Sequence, residues 1–223
     1  MIGRPRVHLR RTDSTNERAR ELAALGAPHG TLVTADEQTA GRGRQGRMWT
    51  APPRAAVLMS VVLRELREGL PLAAAVAVCE ALPLPAAIKW PNDIWIGRRK
   101  VAGILVEGRP QEGWAVLGIG LNIATEVFPP ELRETATSLR LEGSEIGAQE
   151  LLGDLLVSLD RWLGRPTPEV LDAWRSRDAL LGQEVRWSKG SGAAAGVDDT
   201  GALLVDTASG RISLDAGEVH LLR

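Results

Sequence analysis

Residues 41–49 read Gly41-Arg42-Gly43-Arg44-Gln45-Gly46-Arg47-Met48-Trp49, and no acidic residue occurs between Gln38 and Arg64. Guanidiniums present planar forks of N–H donors that match phosphate oxygens. Three of them on a glycine-punctuated loop, without a carboxylate nearby in sequence, repel one another until an anion is shared. The segment therefore reads as a loop that moves when empty and orders around phosphate. Its glycines also spell G-x-G-x-x-G, but a dinucleotide fingerprint must open a helix directly after a strand. Pro52 and Pro53 follow too closely for that. A solvated basic loop is the bland alternative, against which the glycine spacing and the flanking Trp49 speak.

A second constellation is Lys89-Trp90-Pro91-Asn92-Asp93, with Lys100 seven residues beyond Asp93 at the head of the apolar run Val101 to Val106. A lysine entering an apolar strand needs an anion, because an unpaired buried charge is costly. Asp93 could supply it in a purely structural ion pair, or a ligand could. A third signal, Gly118-Ile119-Gly120-Leu121-Asn122, closes an apolar run. Glycines there let a ligand approach the backbone, and an asparagine amide offers both donor and acceptor; a bulge or a helix contact would need the same glycines. His8, His29, His220 and Cys79 are dispersed, which argues against a zinc site or a thiol nucleophile.

The elements that must carry these residues follow from periodicity. Ser14 and Glu17 have capping-box spacing ahead of Ala19, Leu22, Ala23 and Leu25, predicting a helix that ends near Gly26. Strands are predicted at Thr31–Ala35, Ala55–Leu63, Ile88–Trp90, Ile94–Ile96, Lys100–Glu107 and Trp114–Leu121, mostly as sequential hairpins. Helices are predicted from Pro71 to Leu82, from Ile146 to Leu163 and from Pro168 to about Leu180. After Gly182 come short strands every eight to ten residues, Glu184–Trp187, Ala193–Val197, Ala202–Val205, Arg211–Leu214 and Glu218–Leu221. That rhythm predicts a small β-barrel.

The 223 residues carry a net charge of -1, with 44% hydrophobic and 25% charged residues, as in an ordinary soluble globular chain. No overall basic bias favours nucleic acid. No run of 18 apolar residues and no secretory h-region is present, and one cysteine cannot form an internal disulfide. A cytoplasmic protein that contacts no membrane is expected.

Taken together and in this order, the motifs resemble the catalytic domain of the biotin protein ligases. The likeness runs from Ser14-Thr15-Asn16 through Gln38 to Trp49, Lys89 to Asp93, Lys100 to Glu107 and Gly118 to Asn122. It implies an α+β fold: a mixed, mainly antiparallel sheet flanked by helices over residues 1–180, and an SH3-like barrel over 181–223. It implies a biotin side formed by Ser14, Thr15, Asn16, Gln38, Gly41, Arg42, Lys100, Gly103 and Gly118. The implied nucleotide side comprises Arg42, Arg44, Arg47, Trp49, Asn92, Lys100 and Asn122. Catalysis would fall to Lys100, Arg44 and Asp93, with Asp93 positioning magnesium or deprotonating the acceptor lysine. The substrates would be biotin and ATP, and the partner a biotin carboxyl carrier domain. The repressor members' DNA-binding domain has no counterpart here, so a DNA role is not expected; a homodimer stays open. The rivals are a lipoate ligase or acyltransferase of the same fold and a non-catalytic biotin sensor. Retention of Lys100 and the full arginine set speaks against the sensor.

Overall fold

The computed structural model describes residues 1–215 and 217–222. The apolar run after Pro53 becomes β3 (Ala56–Leu63), in which every residue is buried. Elements cover both of its faces, which is why it lacks the alternation of a half-exposed strand. It lies inside a sheet with β1 (Arg6–Leu9), β2 (Leu32–Ala35), β4 (Ala87–Lys89), β5 (Asp93–Ile96), β6 (Arg99–Arg109) and β7 (Trp114–Asn122). The seven strands run in the order β1-β2-β3-β7-β6-β5-β4. Only β1 and β2 pair in parallel. The mixed, mainly antiparallel sheet expected from the sequence is thus present. Edge strand β1 was not: Arg6, Val7 and His8 are exposed, so no buried alternation marks it.

One face of the sheet is covered by α1 (Thr15–Ala24), whose Ala19 and Ala23 pack with Val33, Val62, Trp114 and Val116. The opposite face carries α2 (Leu70–Ala81) and α3 (Ala148–Trp162), and α4 (Thr167–Arg175) packs on α2. Being enclosed by the sheet and two helices, α2 is apolar nearly all round; Pro71 opens it and Pro83 stops it. The last helix ends at Arg175 rather than near Leu180. The chain there turns to the sheet: Ile88 N donates to Arg177 O at 2.7 Å, and Ala179 N donates to Ile88 O at 3.0 Å. Backbone pairing covers the otherwise open edge of β4, and that need overrides helical propensity.

The C-terminal strands β8 (Glu184–Trp187), β9 (Gly190–Val197), β10 (Leu203–Thr207), β11 (Gly210–Leu214) and β12 (His220–Leu221) form an antiparallel sheet in the order β11-β10-β9-β8-β12. The spacing predicted a small β-barrel here, and the antiparallel sheet fits the SH3-like fold that the resemblance implied, with the final strand shorter than expected. Its Val185, Ala194, Leu203, Val205 and Val219 join the same apolar cluster as α2 and α4. Trp90 Nε1 also donates to Gly201 O at 3.0 Å, tying the barrel to the β4–β5 turn. Among the described residues no helix is long and apolar enough to cross a membrane.

Candidate active site

On the face of the sheet that carries α1, the start of that helix forms a polar clasp. Ser60 is the lone hydroxyl in the apolar sequence of β3. Its Oγ lies 2.8 Å from Thr15 Oγ1 and 2.6 Å from Asn16 Oδ1. Gln38 Oε1 accepts from the Thr15 amide at 2.7 Å and from its hydroxyl at 3.0 Å, and Asn16 Nδ2 donates to Glu107 Oε2 at 2.9 Å. Ser14, Thr15, Asn16 and Ser60 are all buried. A connected network of this kind holds its donors and acceptors rigidly toward a polar guest. The predicted capping box is not made: the Ser14 side chain does not cap α1, and Glu17 reaches Arg42 instead. Gly118 lies directly against the Asn16 carboxamide, where a Cβ would collide.

Between the clasp and Lys100 the sheet surface is lined by glycines. Gly103 of β6 and Gly120 of β7 are register partners, and the Trp49 ring lies across both, close enough that a Cβ on Gly120 would strike it. At the end of this strip, Lys100 Nζ is 2.6 Å from Asp93 Oδ1 and 5.6 Å from the centre of the Trp49 ring. A β-bulge puts it there. The β5–β6 register shifts between Ile94 and Trp95, so that Ala102 pairs with Ile94 but Lys100 with Trp95. The extra residue, Val101, is fully buried, and Lys100 emerges on the glycine-lined side with Asp93 and Gly103. The ion pair allowed as a structural possibility therefore exists, and it lies in the cleft rather than in the core.

The arginines of the loop do not converge on one point, and the expectation that they lack partners is corrected. Arg42 pairs with Glu17 at 2.9 Å and Glu107 at 3.6 Å. Arg44 Nη1 donates to Asn92 Oδ1 at 3.1 Å, while Arg47 pairs with Glu218 of the barrel. Carboxylates distant in sequence fold back to meet the loop, which a local scan for acids could not detect. Gly41 packs against the Gln38 amide and the Trp49 backbone, and Trp49 N donates to Gly41 O at 2.9 Å, closing the loop into a flap.

Beyond Lys100, residues 135–139 form a clip that the sequence did not disclose. Lys100 N donates to Thr135 O at 2.8 Å, and Thr137 N donates to Lys100 O at 2.9 Å. Asn122 Nδ2 donates to Thr137 O at 3.0 Å, while its buried Oδ1 has no partner among the described residues. Glu142 holds the clip, accepting from Thr137 Oγ1 at 2.6 Å and Arg99 at 2.7 Å. Ser60 and Glu107 were likewise missed, although a solitary serine inside an eight-residue apolar strand was a readable signal.

A mixed sheet flanked by helices and followed by a small antiparallel domain is the fold of known protein ligases. The chain belongs to the biotin/lipoate A/B protein ligase family, which its residues 8–123 match, and residues 180–222 match the biotin protein ligase C terminal domain. It is 36% identical to the biotin--[acetyl-CoA-carboxylase] ligase of Paracoccus denitrificans, over 95% of this chain and 98% of that one. With the bifunctional ligase/repressor BirA of Bacillus subtilis it shares 35% identity over 93% of this chain and 71% of that protein. The biotin protein ligase of Aquifex aeolicus, solved in complex with biotin and ATP, superposes with a TM-score of 0.87 at 30% identity, covering 99% of this chain and 100% of that one.

Proposed function

We propose that this chain is an ATP-dependent biotin protein ligase that forms biotinyl-5'-AMP and passes the biotinyl group to a lysine of a biotin carboxyl carrier domain. The observation that carries the reading is the placement of the Thr15–Asn16–Gln38 network and of Lys100 at the two ends of one glycine-lined strip of the sheet. A rigid donor and acceptor clasp at Thr15, Asn16 and Gln38 suits a ureido ring, a glycine floor suits an aliphatic tail, and Lys100 stands at the far end where a carboxylate would arrive.

In the first step a biotin carboxylate oxygen bonds to the α-phosphorus of ATP, and the bond to the β-phosphate breaks with its electron pair leaving on diphosphate. Two anions meet, so the site must offer preorganised positive charge, and Lys100 is aimed for that role. Asn122, whose Oδ1 is free to accept, borders the adenine side together with Trp49. Arg44, bonded to Asn92, closes the flap over the nucleotide and shields the mixed anhydride from water. In the second step the acceptor amine attacks the biotinyl carbonyl, AMP departs, and Asp93 takes the proton. Ser14 and Gly118 shape the biotin end; Arg42 and Arg47 border the flap.

Magnesium would supply charge neutralisation on the nucleotide. Among the described residues no group of three metal-binding side chains could cage a metal. Asp93 offers one carboxylate at the cleft, which fits an ion that enters with phosphates and retains waters. Incubation with radiolabelled biotin, ATP and a carrier domain should label the carrier lysine, whereas lipoate should give no product. Labelling by lipoate and not by biotin would overturn the reading.

A further inference from the structure

Lys100 and Asn122 belong to neighbouring strands, yet one later residue is bonded to both. The β6–β7 pairing runs only as far as Ala102 opposite Leu121, and beyond it Ala136 bridges to Lys100. Thr137 N donates to Lys100 O at 2.9 Å, and Thr137 O accepts from Asn122 Nδ2 at 3.0 Å. Leu139 N donates to Asn122 O at 3.1 Å. Thr137, Ser138 and Leu139 have no exposed surface.

The side chain that fastens this segment is Glu142. Its Oε1 accepts from Thr137 Oγ1 at 2.6 Å and from Arg99 Nη2 at 2.7 Å, and its amide donates back to Ser138 O at 3.1 Å. Arg99 is the residue next to Lys100 in β6. The Glu142 side chain is only 17% exposed, so water competes weakly for these charge-assisted bonds. Without the carboxylate, the buried Thr137 hydroxyl would lose its acceptor, and a buried donor left unmade is costly. Relaxation of the segment to avoid that cost would move Thr137 away from Lys100 and Asn122 together.

We propose that Glu142 is a positioning residue for adenylate formation, fixing Lys100 and Asn122 in one arrangement through Thr137 and Arg99. The assignment rests on the reading of the chain as an ATP-dependent biotin ligase. The biotin end is held by a different set, with Gln38, Ser60 and Glu107 around Thr15 and Asn16. Loss of Glu142 therefore acts on the chemical step and not on biotin binding.

The full chain is compared with Glu142→Ala, Glu142→Gln, Thr137→Val and the double variant Thr137→Val/Glu142→Ala. Single-turnover formation of biotinyl-AMP at saturating ATP gives the rate, and calorimetry with biotin alone gives the Kd. Glu142→Ala should slow adenylate formation by roughly tenfold, the scale of one lost hydrogen bond to a charged group. The Kd for biotin should stay within about twofold of the unmodified chain, a margin small beside that tenfold effect. Glu142→Gln keeps an acceptor oxygen for Thr137 and Arg99 and should recover most of the rate. Thr137→Val should slow the same step, and the double variant should be no slower than Glu142→Ala, because both changes remove one contact. Thr137→Val leaves the Glu142–Arg99 pair in place, so it gives the same reading where Glu142→Ala does not fold. The assignment is overturned if neither Glu142→Ala nor Thr137→Val slows adenylate formation, if biotin binding weakens as much as the rate falls, or if the two effects multiply. An unmodified chain that makes no biotinyl-AMP overturns the underlying reading as well.

Discussion

The Arg44 guanidinium donates to the Asn92 carboxamide at 3.1 Å, so the tip of the flap is fastened to the turn that follows Lys89-Trp90-Pro91. Asn92 is itself fixed: its Nδ2 donates to Ile104 O at 2.8 Å, and Ile104 N donates back to Asn92 O at 3.0 Å. The flap therefore closes on a rigid post. Arg44→Gly and Asn92→Ala should each speed escape of biotinyl-AMP by roughly tenfold, the scale of one lost hydrogen bond to a charged group. Because both remove the same contact, the double variant should leak no faster than the worse single one. Trapping of released adenylate measures this, and fully additive effects would separate the two residues.

Lys100 makes a sharper case, because a β-bulge aims it into the cleft. Lys100→Ala should slow adenylate formation by about 10² to 10³, the usual loss for one preorganised transition-state donor. The same change leaves Asp93 without its cation, so carrier labelling from supplied biotinyl-AMP should respond differently from adenylate formation. Single-turnover release of diphosphate reads the first step directly. Near-normal rates would remove Lys100 from the chemistry.

The main strands and the helices were legible because each rests on local information. Apolar runs give buried strands and prolines bound α2; Gly118 and Gly120 stood out at the end of an apolar strand, but their packing against Asn16 and Trp49 was not foreseen. What escaped depends on distance in sequence. Glu107 meets Asn16 and Arg42 only because β6 lies beside α1 in space, and Glu218 reaches Arg47 only because the barrel folds back. The bulge at Lys100 depends on pairing with β5, which no single-strand pattern records. Edge strand β1 and the early end of α4 were hidden for the same reason, since sheet-edge pairing decides both.

Asp178 offers a pH-dependent check on the edge covering of β4. Its Oδ1 accepts from Leu180 N at 2.8 Å, but its buried Oδ2 has no partner among the described residues. Burial raises the carboxyl above its ordinary value of 3.8, against the pull of the backbone bonds from Leu180 and Leu181. A carboxyl raised on folding binds its proton more tightly in the folded state. The ionised group therefore costs stability above its folded-state pKa, and the cost fades as pH falls through the interval down to the ordinary value. Asp178→Asn should raise the melting temperature near neutral pH, with the gain shrinking toward pH 4. A gain of equal size at both pH values would assign the effect to packing instead.

Gly118 tests the clasp from below. Its Cα faces the Asn16 carboxamide so closely that an alanine Cβ must displace it, while Asn16 is already held by Ser60 at 2.6 Å and Glu107 at 2.9 Å. Displacement would break a buried hydrogen bond and tilt the Thr15–Gln38 pair with it. Gly118→Ala should weaken biotin binding by tenfold or more, in the range of about 1–3 kcal/mol for overpacking a tight site. The nucleotide end proposed around Lys100 and Asn122 lies apart from the clasp and should keep its affinity for ATP. Calorimetry with each substrate separates the two ends. Equal losses for biotin and ATP would mean that the substitution disturbs the sheet as a whole rather than the clasp.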